Sequence, residues 1–178
     1  KVLLLANPAS GSGRAMRAAE ALLARIPGSV LVDRGGQVRE GILVAVGGDG
    51  TVNEAARMVR GADATLAVFP TGTVNLLARV YGLPFDVEGF VRVLETGKVL
   101  ALDLGTAGDR IFLSCAGAGF DADVVRRLHQ GRRGGIRIWQ YAPHIAAALV
   151  SGAPPSTHVL IDGKDHGAFG QVIVGNLP

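Results

Sequence analysis

Apolar residues in the amino-terminal half come in short unbroken runs, each followed by a glycine-bearing loop and then by a stretch of helical spacing. "VLLLA" (2–6) has no alternation of apolar and polar positions, as expected of a strand covered on both faces. It leads into "NPASGSG" (7–13) and then "RAMRAAEALLARI" (14–26), where Met16, Ala19, Leu23 and Ile26 recur at helical spacing ahead of a Pro-Gly stop. The same order returns in "ILVAV" (42–46), "GGDG" and "TVNEAARMVRG". It appears a third time in "TLAVFP" (65–70), "TG" and "TVNLLARVYG". Three such units within about 80 residues predict a parallel sheet with helices on its faces. "DVEGFVRVLETG" (86–97) predicts a further helix, with Val87, Phe90, Val91 and Leu94 on one side and Gly97 as its stop.

After residue 98 the pattern changes. "KVLALDLGTAGDRIFLSCAG" reads as two strands joined by a Gly-Asp turn, and "THVLIDGKDHGAFGQVIVGN" reads as a second hairpin. Between them lie helical stretches at "DADVVRRLHQ" and "IRIWQYAPHIAAALV", the latter interrupted by Pro143. The expected division is therefore an α/β domain over 1–98 and the first part of a β-rich domain over 99–178. One spacing conflicts with this scheme. If "SVLVD" (29–33) and "ILVAV" (42–46) are parallel neighbours, only the eight residues "RGGQVREG" join them, whereas a parallel crossover needs about a dozen. Either the pair is antiparallel or residues are missing between Asp33 and Ile42, and the second is the expectation.

Composition narrows the function classes. The chain has 178 residues, 48% of them hydrophobic, enough to bury a core, and its longest apolar runs fall far short of the roughly 20 residues a bilayer span needs. A single cysteine, Cys115, excludes an internal disulfide and suits a reducing cytoplasm; in "FLSCAG" it reads as a small core residue. The net charge of +3 is a mild excess that does not demand nucleic acid as partner. His129, His144, His158 and His166 lack metal-ligand spacing, and Ser114 and Ser151 lack the surroundings of an activated nucleophile.

The candidate chemistry lies in the loops. Each falls where a strand's carboxyl end meets a helix amino end, the edge at which open α/β sheets hold ligands. Unpaired N–H groups and the positive end of the helix dipole suit phosphate there, and glycine lets the backbone approach it. Gly47, Gly48 and Gly50 thus read as phosphate-approach positions and Thr51 as a hydroxyl donor or helix cap. A bare Asp49 would repel phosphate. It has three readings: a holder of Mg2+ bound to the phosphates, a proton acceptor from an attacking hydroxyl, or simply a cap in a tight turn.

"GGDGTVNE" (47–54), preceded by "NPASGSG" and followed by "PTGTVNLLAR" (70–79), resembles the diacylglycerol kinase catalytic-domain family, which includes sphingosine kinases and bacterial lipid kinases. "ALDLG" (101–105), "SCAGAGFDADVV" (114–125) and "GGIRIWQYAPHIAAAL" (134–149) follow in the family's order, so the resemblance covers nearly the whole chain. It implies a phosphofructokinase/NAD kinase-like three-layer nucleotide-binding domain followed by an incomplete β-sandwich. The implied activity is transfer of the ATP γ-phosphate, with Mg2+, to a lipid hydroxyl such as that of diacylglycerol. Carried over by position, Asn7, Ser10, Gly11, Gly48, Asp49, Gly50, Thr51, Asn53, Glu54 and Thr73 lie against the nucleotide. Asp103 helps organise the polar network around the reacting groups, beside the catalytic Asp49.

Several features depart from the family pattern. Asn75 is followed by Leu76 where the family often has Asp, and "LVDRGG" lacks a threonine the family tends to place after its second strand. Members are longer than this chain, so an acidic Asp-Gly-Glu motif holding a candidate general base is expected in a part not seen here. Asp162 in "IDGKD" (161–165) reads as a hairpin turn and not as that motif. The resulting expectation is a cytoplasmic kinase that visits the inner face of the membrane for its lipid substrate. Trp139 and Tyr141, beside Arg132, Arg133 and Arg137, form either a membrane-interface patch or a solvated helix face. The alternatives are a kinase acting on NAD or another small molecule, and a non-catalytic nucleotide-binding regulator.

Overall fold

Residues 1–8, 10–130, 143, 145 and 156–177 are described by a computed structural model. The first strands form one parallel sheet from β1 (Val2–Ala6), β2 (Val30–Leu31), β3 (Glu40–Gly47) and β4 (Asp63–Pro70), in the order β2-β1-β3-β4. The helices are α1 (Arg14–Arg25), α2 (Asp49–Val59), α3 (Leu76–Val80) and α4 (Val87–Thr96).

Successive strand residues point to opposite faces, which separates the core into two halves. Leu3 and Leu5 of β1 join Leu43 and Ala45 of β3 on one face, packed under Val52, Ala55, Ala56 and Met58 of α2. Leu4, Val44, Val46 and Phe69 line the other face, covered by Ala15, Ala19 and Leu22 of α1 and by Phe90 of α4. The rings of Phe69 and Phe90 meet edge to face with centroids 5.3 Å apart. Each fully buried leucine here contributes about 1.5–3 kcal/mol. The expected three-layer α/β domain is thus present. The buried stripe of α1 runs through Ala15, Ala19 and Leu22, while Met16, Leu23 and Ile26 are only partly buried beside it.

Only one premise of the spacing argument fails. β2 and β3 are not neighbours, because β1 lies between them and pairs in parallel with both. The connection is nonetheless a short parallel crossover, carried past β1 by residues 32–39. β2 ends opposite Leu4, only two residues above the level of Val2, where Ile42 pairs. On the way, Val38 turns inward and donates its N–H to the Met58 carbonyl at 2.9 Å.

Local rules set the helix ends. Asp86 caps α4 by accepting the Gly89 N–H at 2.8 Å, and Gly97 closes it by donating to the Val93 carbonyl. Arg25 of α1 makes two 2.8 Å hydrogen bonds to Glu88 of α4. This pairing holds the Glu88 carboxyl below its ordinary range and raises the Arg25 guanidinium. Both groups sit in solvent, so the bridge orients the helices more than it stabilises them.

Two compact units are formed, one comprising Lys1–Ser114 with Leu177 and the other Cys115–Asn176. The hairpin of β5 (Gly105–Ala107) and β6 (Arg110–Phe112) turns at Gly108-Asp109 and belongs to the first unit, beyond the boundary expected at residue 99. It is held there because Leu113 is buried in the α2-side core and donates its N–H to Asn53 Oδ1 at 3.1 Å. Residues 98–104 were expected to start a strand but carry no regular structure, and none of the described strands pairs with them.

In the second unit, β7 (Cys115–Gly119) leads into α5 (Phe120–Gln130) and pairs antiparallel with β10 (Gln171–Gly175). β8 (Thr157–Ile161) and β9 (Lys164–Phe169) form a hairpin. Asp162 and Gly163 both have positive φ at its turn, the geometry of a two-residue I′ loop and the place expected for Asp162. The stretch expected as one hairpin thus supplies a third strand that pairs elsewhere. Cys115, expected in the core, is exposed at the start of β7. The aromatic and arginine patch at 132–141 and the helix expected over 136–150 lie outside the described residues, apart from Pro143 and Ile145. No helix among the described residues is long and apolar enough to cross a membrane.

Candidate active site

β1, β3 and β4 are adjacent and parallel, so the three glycine-bearing loops that follow them leave one edge of the sheet. The first loop leaves β1 through Asn7. Ser10 is buried and donates its N–H to the Asn7 carbonyl at 2.8 Å, opening a 3-10 turn over Ser10–Gly13 that includes Gly11. Gly13, at φ 85, makes the left-handed step into α1 that other residues adopt at a cost.

The second and third loops are locked together. Thr71 donates its N–H to the Gly47 carbonyl at 2.9 Å, continuing the β3–β4 ladder one residue past the strands. Beyond it Gly72 lies against Gly48 so closely that a Cβ at Gly72 would overlap the Gly48 Cα and come within 2.8 Å of Asn75 Oδ1. Asn75 is buried and left-handed (φ 53, ψ 53), and its side-chain amide grips Gly72 from both sides. Oδ1 accepts the Gly72 N–H and Nδ2 donates to the Gly72 carbonyl, both at 2.9 Å. This backbone reversal is why α3 starts at Leu76 and not near Thr73.

Asp49 completes the lock. Its Oδ2 accepts the Asn75 N–H at 3.0 Å and its Oδ1 accepts the Leu76 N–H at 2.7 Å. The carboxylate of the first residue of α2 therefore caps the start of α3, a charge-assisted contact between two loops. Of the three sequence readings, the structure displays a cap, but of the neighbouring helix and not of its own.

Gly50 is the opposite case from Gly72. It is exposed in the first turn of α2, and a Cβ added there would meet nothing within 4 Å. Gly48 carries no capping side chain, and the first-turn N–H groups of Asp49 and Gly50 have no carbonyl one turn earlier to receive them. Folding alone gives no reason for glycine at 50, whereas close approach of a ligand does. Gly50→Ala should leave the melting temperature equal or slightly higher, since glycine costs about 0.5–1 kcal/mol relative to alanine inside a helix. Nucleotide affinity should fall by roughly 10-fold, measured by calorimetry.

The remaining candidates divide. Thr51 is buried beneath Gly47, where a Cβ on that glycine would overlap its side chain. Asn53 is half-buried and holds the end of β6 through Leu113, and Glu54 faces Arg34 at 3.4 Å. Thr73 is exposed in the third loop. Asp103 is exposed in the irregular segment before β5 and is not on a strand. Gly72 and the Asn75 amide, central to the lock, were missed as site residues. The signal available was the Asn three positions after a Gly and just before a helix, a pattern suited to αL geometry and local side-chain hydrogen bonds.

A parallel sheet presenting three glycine loops along one edge, two of them clamped into a single surface, is the build of a phosphate-handling α/β domain. Comparison with known proteins specifies it. A family model of the diacylglycerol kinase catalytic domain matches residues 1–107, and the chain belongs to that family. It is 29% identical over 187 aligned positions to a diacylglycerol kinase of Mycobacterium tuberculosis, covering 93% of this chain and 60% of that protein. It is 38% identical over 85 residues to a probable lipid kinase YegS-like of Pseudomonas syringae pv. tomato, covering 47% of this chain and 28% of the relative. A crystal structure of a diacylglycerol kinase from Bacillus anthracis str. Sterne superposes with a TM-score of 0.64 at 25% identity, over 99% of this chain and 64% of that one. The chain thus spans less than two thirds of the length of these relatives.

Proposed function

We propose that this chain carries the nucleotide-binding domain and part of the second domain of a kinase that transfers the γ-phosphate of ATP to a lipid hydroxyl, such as that of diacylglycerol. The observation that carries the reading is the lock between the second and third loops, which fixes one surface of glycine backbone and helix amino-terminal N–H groups beside the sheet edge.

Transfer breaks the bond between the γ-phosphorus and the bridging oxygen of ADP and forms one to the lipid oxygen, whose proton passes to a base. The protein's work in such a reaction is positioning and stabilisation of charge on the moving phosphoryl group. Gly48, Gly50 and the first turn of α2 approach the phosphates, with Asn7, Ser10, Gly11 and Thr73 around them. Asp49 acts as a positioning residue that keeps the third loop in place, and Asp103 belongs to the polar network near the acceptor. Among the described residues no three His, Cys, Asp or Glu side chains come together, and Asp49 commits both oxygens to backbone N–H groups. Magnesium enters the proposal as the ion carried by the nucleotide, part of the substrate.

The test is transfer of labelled γ-phosphate from Mg-ATP, using full-length protein, onto diacylglycerol, monoacylglycerol, ceramide, sphingosine and polyprenol in mixed micelles, with NAD as a soluble acceptor. Label in a lipid, dependent on the micelle surface, is the expected result. Label in NAD alone would replace this reading with an NAD kinase-like one, and nucleotide binding without transfer to any acceptor would favour a regulator.

A further inference from the structure

Among the described residues one buried side-chain polar atom has no hydrogen-bond partner, the hydroxyl Oγ1 of Thr71. Thr71 as a whole is 8% exposed, so what surface it keeps lies on its other atoms. Its backbone is engaged through the N–H donated to Gly47, and the next residue is the glycine pressed against Gly48. An orphaned hydroxyl therefore belongs to the residue whose backbone joins the third loop to the second.

Burying a hydroxyl without a partner is unfavourable, and valine would fill the same volume without that cost. Threonine at 71 is thus not explained by the stability of the nucleotide-free protein. The hydroxyl of a threonine changes direction by rotation about χ1, a motion that leaves the locked backbone in place. We infer that Thr71 is a phosphate-contacting residue whose hydroxyl receives its partner, an oxygen of the nucleotide's phosphate chain, only when nucleotide is bound at this edge. The inference rests on the proposed nucleotide-binding reading and adds to it a residue of the third motif that the family resemblance does not assign to the nucleotide. It also makes the third loop sensitive to ligand, because the unfavourable burial in the free state is relieved on binding.

The experiment uses the full-length protein as wild type, Thr71→Val and Thr71→Ser, melted without ligand and titrated calorimetrically with ATP and with inorganic tripolyphosphate. Thr71→Val should melt about 2–4 °C higher without ligand, through loss of the orphaned group. It should bind both ligands roughly 10-fold more weakly, whereas Thr71→Ser should restore wild-type affinity. Equal affinity of Thr71→Val and wild type would overturn the inference and leave the proposed function standing. A lower melting point for ligand-free Thr71→Val would also overturn it, by showing that the hydroxyl already has a partner such as a buried water. Failure of the wild type to bind either ligand would overturn the nucleotide reading itself, and this inference with it.

Discussion

Asp49→Ala should lower the melting temperature by about 10 °C and abolish nucleotide binding together with turnover. The estimate follows from two hydrogen bonds to a charged acceptor, each contributing about 1.5–3 kcal/mol, and from a slope of several degrees per kcal/mol for a unit of this size. Removing the carboxylate leaves the N–H groups of Asn75 and Leu76 at the start of α3 without their acceptors. Asp49→Asn should lie between the two, since its amide oxygen can accept one N–H while its NH2 group confronts the other donor. Thermal melts and nucleotide titrations of both variants check this. A carboxylate acting only on substrate predicts a different pattern, in which Asp49→Asn melts like wild type and loses turnover alone. If that pattern is found, the clamp is not the main role of Asp49.

Gly72→Ala should be nearly as damaging for a different reason. The added methyl would overlap the Gly48 Cα and crowd Asn75 Oδ1, and backbone does not yield as a flexible side chain does. The loops must separate, which costs the Thr71–Gly47 hydrogen bond or the Asn75 grip on Gly72. A destabilisation of about 2–4 kcal/mol is expected, and a fall in turnover of at least 100-fold, because a shift of about 1 Å at a positioning surface costs that much. Denaturant titration and steady-state kinetics read the two effects separately. Gly50→Ala is the internal control for stability, as the same substitution two residues further along the other loop meets open space.

Much of this architecture is legible in the residues. Unbroken apolar runs and helical spacing locate β1, β3, β4 and the helices after them, because both signals arise from burial that any packing of these segments requires. Strand order is another matter. That β1 lies between β2 and β3 depends on which edges meet in three dimensions, and the residues alone give no sign of it. The start of α3 was misplaced for a local reason, since Asn75 reverses the backbone within a stretch whose apolar spacing suggests a helix from Thr73. The missing strand at 98–104 shows that propensity without a partner edge does not make a strand.

At the site, the loops were found and their joinery was not. "GGDGT" announces a phosphate loop through its glycines, but nothing in it says that Asp49 faces the next loop. Asn53 and Glu54 fit a nucleotide motif by position, yet the one holds Leu113 and the other faces Arg34. In the second unit Cys115 reads as a small core residue in "FLSCAG", whereas it opens a strand and is exposed.

The Asp49 contact spans 26 and 27 positions along the chain, to Asn75 and Leu76. It cannot form until β4 has joined the sheet and delivered the third loop, so closure of this edge is a late, non-local event in folding. The motif that identifies the protein is therefore not autonomous: a peptide holding the glycines and the aspartate has the letters of the site but not its shape.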